Sequence, residues 1–463
     1  MEIGKDVKDT IYMVQRIDRL PMNRFMVYLA LVSGMGLFFD IYDIDTMSAS
    51  IAPIKSIFNL NPLMTTLTIS MAFIGMFFGS LISGTLADRY GRRRLFVITL
   101  SIIAIGSFLT AISTNLYELW IFRFITGFGI GGDMPVVWAY LTEMTPTKYR
   151  GRLMGIAMIL GVLSLPTVGL TATYFVSTFP VNGWRYVFLT GALIALAVLA
   201  VRYFAPESPR YYLIHNNPKA ADEVLSSIEK HIERIIGKPL PPYDKSEQYS
   251  LGVYKAPLRE LFSKDAIRST LLASVVWIFQ TWGFYGFTAF LPLILIAKGY
   301  TLVHAIMFTA IGWAGGFLGP VIVTLVGERF QRKYLLTIYA ALSALFIGLM
   351  AATPPHSPAL VITTAFIVNI FIQAWAATLY SYVPEIFPAR IRATGSGFAN
   401  ALGRGFNVVG LLAIGVALAG SPAAQLGFTA VSWIICIVAI LALGYRTSGM
   451  ILEEITERRK KSE

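Results

Sequence analysis

The sequence predicts an all-α integral membrane protein with twelve transmembrane helices in two six-helix bundles. Hydrophobic residues make up 56% of the chain and charged residues only 14%, whereas about 25% of the residues in a typical soluble domain are charged. The apolar runs reach about 20 residues or more, the length that a helix needs to cross a bilayer. They are too long and too continuous for β-barrel strands, which alternate in shorter segments.

The apolar runs divide the chain into two halves. Six runs precede a long polar stretch and six follow it, at about 25–51, 63–86, 95–114, 116–142, 153–178, 185–204, 269–297, 303–326, 334–353, 358–384, 394–419 and 424–446. We therefore predict an N-terminal bundle at 1–204, a linker with short helices at 205–268, and a C-terminal bundle with a tail at 269–463.

The basic residues predict the orientation. All but five of the 38 Lys and Arg residues lie at the termini or in the loops after even-numbered spans; the exceptions are Lys55, Arg185 and Lys298 on the opposite side, and Arg123 and Arg404 within spans. By the positive-inside rule, both termini and the linker are cytoplasmic, in the cell membrane. These clusters are not interleaved with aromatic residues, so the net charge of +12 does not indicate nucleic-acid binding.

The linker carries its own helix signals. Asn217 followed by Pro218 predicts a helix start. The helix should run to about Ile236 and end at Gly237, with a second short helix near Pro257. Elsewhere the single Cys436 excludes an internal disulfide, and no metal-ligand cluster, catalytic triad or nucleotide motif stands out. We therefore expect neither an enzyme nor a metal or cofactor.

Two motifs occur once in each half. Tyr, Glu, Pro and Arg recur at an offset of 242, as Tyr140, Glu143, Pro146 and Arg150 and then as Tyr382, Glu385, Pro388 and Arg392. The charged loop at 88–93 is echoed at 328–333. Parallel six-helix repeats around a central site are one way in which transporters are built.

These motifs resemble the major facilitator superfamily, in its sugar-porter-like branch. The resemblance rests on residues 84–94, on Arg123 with the glycines at 127, 129, 131 and 132, on 206–210 and on 384–397. The residues 131–137 and 284–292 are similar to those of aromatic-acid, nicotinate and phosphate proton symporters. The four glycines lie within a span and lack a following Lys-Ser/Thr, so we expect close helix packing there and not a phosphate loop.

The resemblance implies a gating network at the cytoplasmic side. An acid at the very end of span 2 is not explained by a solvated basic loop, although such a loop remains the alternative for its arginines. A carboxylate there can accept hydrogen bonds from a neighbouring helix N-terminus and pair with arginine. The candidate gating residues are Asp88, Arg89, Arg92, Glu143, Arg150, Glu385 and Arg392.

Charges within the spans are candidates for proton coupling, because an ionisable group in the bilayer is costly. Asp43 and Arg123 lie at the same depth, roughly 30 Å from the inner face at about 1.5 Å per residue, so we predict that they pair. In sugar porters the matching residues form a proton switch. Asp133 lies near the midplane, where a coupling or substrate role stands beside a structural hydrogen bond.

Arg404 is the main substrate candidate. It lies about midway through span 11 with no acid in that span, and Asn400 and Asn407 share its face. Its anion is either Asp133 or the substrate. The other candidate substrate contacts are Asp133, Trp277, Gln280, Tyr285 and Gln373.

The expectation from sequence is a monomeric secondary active transporter that couples protons to uptake of a small organic anion by alternating access. A sugar or polyol carrier on the same fold is the first alternative. A non-transporting receptor or sensor is the second.

Overall fold

The computed structural model describes residues 13, 15–215, 217–242, 258–327, 329–354, 357–388, 391–417 and 419–447, without the side chains at positions 85, 88, 214 and 393. This part of the chain is helical and folds into seventeen α-helices with short 3₁₀ and π segments. In the N-terminal half they are α1 Arg24–Ile57, α2 Pro62–Tyr90, α3 Arg92–Ile112, α4 Leu116–Met144, α5 Thr147–Val162, α6 Ser164–Thr178 and α7 Gly183–Tyr203.

Two helices follow in the linker, α8 Pro209–Ile214 and α9 Pro218–Ile236. The C-terminal half contains α10 Lys264–Thr288, α11 Leu291–Ala297, α12 Leu302–Ala314, α13 Leu318–Val326, α14 Arg332–Ala352, α15 Pro358–Glu385, α16 Arg392–Leu412 and α17 Pro422–Leu443. A 3₁₀ segment, Gly315–Phe317, joins α12 to α13, and a π segment, Ala413–Ala417, extends α16.

Each predicted apolar run corresponds to one helix or to two helices in succession. Among the described residues, ten spans are long and apolar enough to cross a membrane, and α10 with α11 forms a further span bent by 52°. The helix α4 has 29 residues and is not among these ten spans; it carries Arg123 and Asp133 within its length. The total of twelve spans, the division at 204 and 268, and the cytoplasmic termini stay predictions.

The linker helix has the predicted start and end. The side chain of Asn217 accepts a hydrogen bond from the backbone N–H of Ala220, and Pro218 is the first helical residue. Gly237 ends α9 with a φ of 68°, a left-handed conformation that suits glycine. The second short helix is present as a 3₁₀ turn, Leu258–Phe262.

A segment ahead of α1 holds α9 against the N-terminal half. Glu229 on α9 accepts hydrogen bonds from Arg16 at 2.6 Å and from Arg19 at 2.7 Å. Burial alone would raise the pKa of Glu229, but these hydrogen bonds and the two positive charges outweigh it and leave the pKa below its usual value. The linker helix therefore belongs structurally to the first half.

Glycines let α2 and α4 approach until their backbones touch. A Cβ on Gly127 would overlap the carbonyl oxygen of Ala72, and a Cβ on Gly131 would overlap that of Met76. Small residues at such crossings are typical of membrane helix pairs. The prediction that these glycines serve close packing is confirmed, and α4 is held in a fixed position for the charged side chains that it carries.

Candidate functional site

The first buried ion pair joins α1 to α4. A guanidinium nitrogen of Arg123 lies 2.7 Å from Oδ2 of Asp43, and both side chains are almost completely buried. Ser107 on α3 donates a hydrogen bond to the other carboxylate oxygen, and the Phe188 ring on α7 lies 5.3 Å from the guanidinium carbon. The contact predicted from matched depths is present; its role in proton coupling stays a prediction.

The second buried ion pair was not predicted. Asp133 accepts hydrogen bonds at 2.7 Å from Arg202 on α7 and at 2.8 Å from Thr99 on α3, and it is fully buried. Arg202 lies near the end of the sixth apolar run, so we counted it with the basic residues that follow even-numbered spans. The structure instead places it inside the bundle, with its guanidinium over the ring of Phe96 at 4.4 Å.

Arg404 has no acidic partner among the described residues. Its Nε donates to the side-chain oxygen of Asn400 at 3.1 Å. Its two terminal nitrogens face methionine sulfurs of the opposite half, at 3.9 Å from Met76 and 3.1 Å from Met134. The alternative in which Asp133 neutralises Arg404 is therefore wrong for this conformation, because Arg202 and Thr99 already occupy the carboxylate of Asp133.

Aromatic rings from both halves surround the same region. The Tyr380 ring lies 5.5 Å from Trp277 on α10 and 6.0 Å from Trp138 on α4. Across the interface, the Tyr285 ring lies 4.6 Å from Phe73 on α2. Tyr380 remains 37% exposed although rings from both halves flank it. Accessible space therefore lies between the halves beside these aromatic residues.

Amide side chains of the C-terminal half lie buried nearby. Within the described part of the chain, neither amide atom of Asn407 has a hydrogen-bond partner, and the side-chain oxygen of Gln280 has none. Gln373 is also buried, against Gly316. A buried amide without a partner is costly, so these groups are available to a polar ligand. Their assignment to substrate binding stays a prediction.

Asp40 is a further buried acid, and its position in span 1 suggests from sequence that it faces the same cavity as Asp133. It lies on α1, is fully buried, and neither carboxylate oxygen has a hydrogen-bond partner among the described residues. Its carboxyl group interacts electrostatically with Asp133, Arg202, Asp43 and Arg404. Its spacing of three residues from Asp43 puts both acids on one side of α1.

The repeated motifs form equivalent ion pairs at one end of the bundles. Arg92 at the start of α3 pairs with Glu143 at the end of α4 at 3.0 Å. In the second half, Arg332 at the start of α14 pairs with Glu385 at the end of α15 at 2.7 Å. The repeat in sequence is thus a repeat in structure.

The remaining gating candidates have other contacts. Arg150 donates to the carbonyl of Thr142 at 3.1 Å, and its role in gating stays a prediction. Arg392 interacts electrostatically with Glu385. Arg89 is exposed and lies over the ring of Tyr90. The side chain of Asp88 lies outside the described residues.

Glu207, which no prediction named, ties the end of α7 to the start of α3. Its carboxylate accepts hydrogen bonds from the backbone N–H of Arg92 at 2.9 Å and of Arg93 at 3.2 Å, at a helix N-terminus where negative charge is favourable. Burial raises the pKa of Glu207, and the backbone hydrogen bonds from Ser208, Arg93 and Arg92 oppose that rise. The hydroxyl of Ser208 also donates a hydrogen bond to the carboxylate of Glu143 at 2.6 Å.

The two halves touch at the end remote from α9. A Cβ on Gly169 of α6 would overlap the Cβ of Ala310 on α12. A Cβ on Gly415 would overlap the hydroxyl of Thr66 on α2. Two multi-helix halves that meet around buried charges and an accessible aromatic region define a polytopic membrane carrier.

Comparison with known proteins gives the family. The profile of the "Sugar (and other) transporter" family matches residues 29–458. The chain belongs to this family, within the major facilitator superfamily, which is a family of transporters and not of enzymes.

Its relatives carry several kinds of cargo. The chain is 32% identical to the putative metabolite transport protein YyaJ of Bacillus subtilis, over 94% of this chain and 95% of that protein. It is 31% identical to the niacin transporter NiaP of Acinetobacter baylyi, over 96% and 99%. It is 27% identical to the 4-hydroxybenzoate transporter PcaK of the same organism, over 88% and 87%.

A solved structure agrees with the fold. The inward-open xylose transporter XylE from E. coli superposes with a TM-score of 0.74 at 20% identity, over 94% of this chain and 99% of that one. Together these findings make the protein a multi-pass membrane transporter of a small molecule.

The first prediction concerns the contact of Gly169 with Ala310. We expect Gly169→Trp to abolish flux in proteoliposomes without unfolding the protein, because the indole prevents this end from closing while the halves can still separate. Gly348→Trp is the control, since a Cβ there meets nothing within 4 Å. Wild-type flux in Gly169→Trp would mean that this contact need not form during transport.

The second prediction concerns the repeated ion pairs. Glu143→Gln and Glu385→Gln should slow substrate counterflow and leave substrate affinity unchanged, because each removes one charge of a pair that holds two spans together. The effect should be larger for Glu143, whose side chain is 7% exposed against 23% for Glu385. Glu118→Gln, an exposed acid at the start of α4, is the control. Lowered affinity with normal counterflow would contradict a gating role.

Proposed function

We propose that the protein is a proton-coupled symporter of the plasma membrane that takes up a small organic anion with a planar ring. The observation that carries this proposal is Arg404, a buried cation between the halves with no carboxylate partner among the described residues.

The charge of Arg404 needs an anion. A charged side chain at the centre of a membrane helix costs at least about 2.5–3.5 kcal/mol on the mildest scale. The amide oxygen of Asn400 and the sulfurs of Met76 and Met134 are neutral, and thioether sulfur is a weak acceptor. A substrate carboxylate could offset the cost with charge-assisted, bidentate hydrogen bonds.

The aromatic region favours a ring next to that carboxylate. Two rings, those of Tyr285 and Tyr380, lie within electrostatic range of Arg404. The ring of Trp277 packs edge-on against Tyr380. Aromatic pairs contribute about 0.5–1.5 kcal/mol beyond the area that they bury. Niacin and 4-hydroxybenzoate, named as cargo of two relatives, both join a carboxylate to a planar ring, which supports this class.

The buried acids support coupling to protons. Asp43 is held by Arg123, Asp133 by Arg202, and Asp40 by no arginine hydrogen bond among the described residues. An acid alternates between charged and neutral forms when its arginine partner engages and disengages. Rocking of the two halves about the central site would supply that alternation.

A sugar or polyol is the second candidate substrate. It is favoured by the side-chain amide of Asn407 and the side-chain oxygen of Gln280, which have no hydrogen-bond partner among the described residues and can bind hydroxyl groups.

The third prediction uses Arg404 to decide between these substrates. Arg404→Lys keeps the charge but loses the planar fork, so nicotinate or 4-hydroxybenzoate should bind more weakly. Arg404→Ala should reduce affinity roughly 10- to 150-fold, the equivalent of about 1.5–3 kcal/mol for a hydrogen bond to a charged group. Dissociation constants measured by thermal shift or calorimetry should increase from wild type to Arg404→Lys and from Arg404→Lys to Arg404→Ala.

The control for Arg404 is Arg446→Ala, which removes an exposed arginine of the same half. It should bind these acids as wild type does. Equal affinities in wild type, Arg404→Lys and Arg404→Ala would exclude contact with the substrate. Binding of xylose or glucose that survives in Arg404→Ala would favour the sugar carrier.

The fourth prediction concerns coupling. Asp→Asn at Asp43 or at Asp133 should abolish accumulation driven by a pH gradient, because the neutral amide cannot carry a proton. The same variant should keep counterflow, which needs no net proton movement. Accumulation and counterflow are measured with radiolabelled substrate in proteoliposomes. Full accumulation in both variants would show that neither acid carries the proton.

A further inference from the structure

The N-terminal half buries more carboxyl groups than arginines around its central charges. Asp43 is held by Arg123, and Asp133 is held by Arg202. Asp40 is the third acid of this group, fully buried and without a hydrogen-bond partner in the described structure. Two guanidinium groups cannot neutralise three ionised carboxylates, so a proton on one of the three would balance the group.

Arg202 lies against the face of α1 that carries Asp40. Its guanidinium fills the space beside Gly36, where a Cβ would overlap it, and it donates to the carbonyl of Ser33 at 3.3 Å. Asp40 follows Gly36 by four residues, so it lies one helical turn further along the same face. Glycine at position 36 thus gives the guanidinium a place between Asp133 on α4 and Asp40 on α1.

The charged surroundings of this position come from four helices. Asp40 interacts electrostatically with Asp133 from α4, Arg202 from α7, Asp43 on its own helix and Arg404 from α16. The hydroxyl of Tyr140 also lies within electrostatic range of Arg202, but it donates to the carbonyl of Pro206. Arg202 is thus an arginine of the N-terminal half that hydrogen-bonds one acid, Asp133, and lies within electrostatic range of a second, Asp40.

We propose that Arg202 is a positioning residue for proton coupling, whose guanidinium exchanges between Asp133 and Asp40 and so decides which of the two carboxyl groups holds the transported proton. This inference rests on the proposed proton-coupled function.

The exchange conserves charge at each step. In the arrangement seen here, Arg202 holds Asp133; the proposal assigns the proton, taken from the medium, to Asp40. When Arg202 moves to Asp40, the proton passes from Asp40 to Asp133, and when Arg202 returns to Asp133 that acid releases the proton on the other side of the membrane. No bond other than O–H forms or breaks, and the proton enters from one side of the membrane and leaves on the other.

The fifth prediction tests Arg202 with a charge-balanced double variant, Arg202→Met with Asp133→Asn. Replacing a whole buried ion pair by neutral residues is often tolerated, whereas removal of one partner leaves an unpaired buried charge. We expect the double variant to fold, to bind nicotinate or 4-hydroxybenzoate and to keep counterflow. Its accumulation under a pH gradient should fall to a ratio of one, as it should in Asp133→Asn alone. Asp40→Asn leaves the pair of Arg202 with Asp133 intact, and it should lose accumulation as well, because the proton then has no second acid to occupy; wild-type accumulation by Asp40→Asn would overturn the inference.

Two further proteins complete the experiment. Arg202→Lys keeps a charge that can reach a carboxylate, so it should restore part of the accumulation. If the double variant does not fold, Arg202→Lys alone tests the inference. Arg16→Met with Glu229→Gln removes an ion pair of the linker helix and should accumulate substrate as wild type does.

The outcomes separate this inference from the proposed function. Wild-type accumulation by the Arg202→Met, Asp133→Asn variant would reduce Arg202 to a structural partner of Asp133 and overturn the inference, while the symporter proposal would stand. Loss of substrate binding in that variant but not in Asp133→Asn alone would also overturn it, since Arg202 would then act on the substrate. Failure of wild type to accumulate substrate under a pH gradient would overturn the symporter proposal, and this inference with it.

Discussion

The need to neutralise charge inside a membrane bundle governs the arrangement of this protein. An ionised side chain within a span is costly, and a paired one is tolerated. The N-terminal half meets this need for its two central arginines, because Arg123 and Arg202 each hold a carboxylate. The C-terminal half does not, since Arg404 faces only neutral atoms among the described residues. The first half thus pairs its central arginines internally, and the second presents a cation to the interface.

The internal repeat shows where the two halves have kept the same structure and where they differ. At one end, Arg92–Glu143 and Arg332–Glu385 are equivalent pairs. At the centre the equivalence ends. At the offset of 242, the positions of Arg123 and Asp133 are occupied by Ala365 and Trp375. The ion pairs at this end are therefore duplicated, whereas Arg123 and Asp133 of the central ion pairs have no charged counterpart at the repeated positions of the second half.

Most of the fold could be predicted from the sequence, because the length of an apolar run follows directly from bilayer thickness. Helix depth also predicted the pair of Asp43 with Arg123, since a regular rise per residue converts sequence distance into height. Pairs that depend on rotation about the helix axis could not be predicted. Arg202 lies near the end of an apolar run, where a long side chain usually extends to the interface, and the packing of α7 against α1 and α3 turns it inward.

The contact of Arg404 with the N-terminal half suits a carrier whose halves must separate. Its nitrogens meet the sulfurs of Met76 and Met134, which are weak acceptors on flexible side chains. An ion pair at this position would hold the halves together more firmly, because breaking it would leave two buried charges unpaired. A thioether contact can be given up at little cost, so under the proposed function a substrate carboxylate would replace it. The same weak contact would leave Arg404 buried in the absence of substrate without locking the two halves in one conformation.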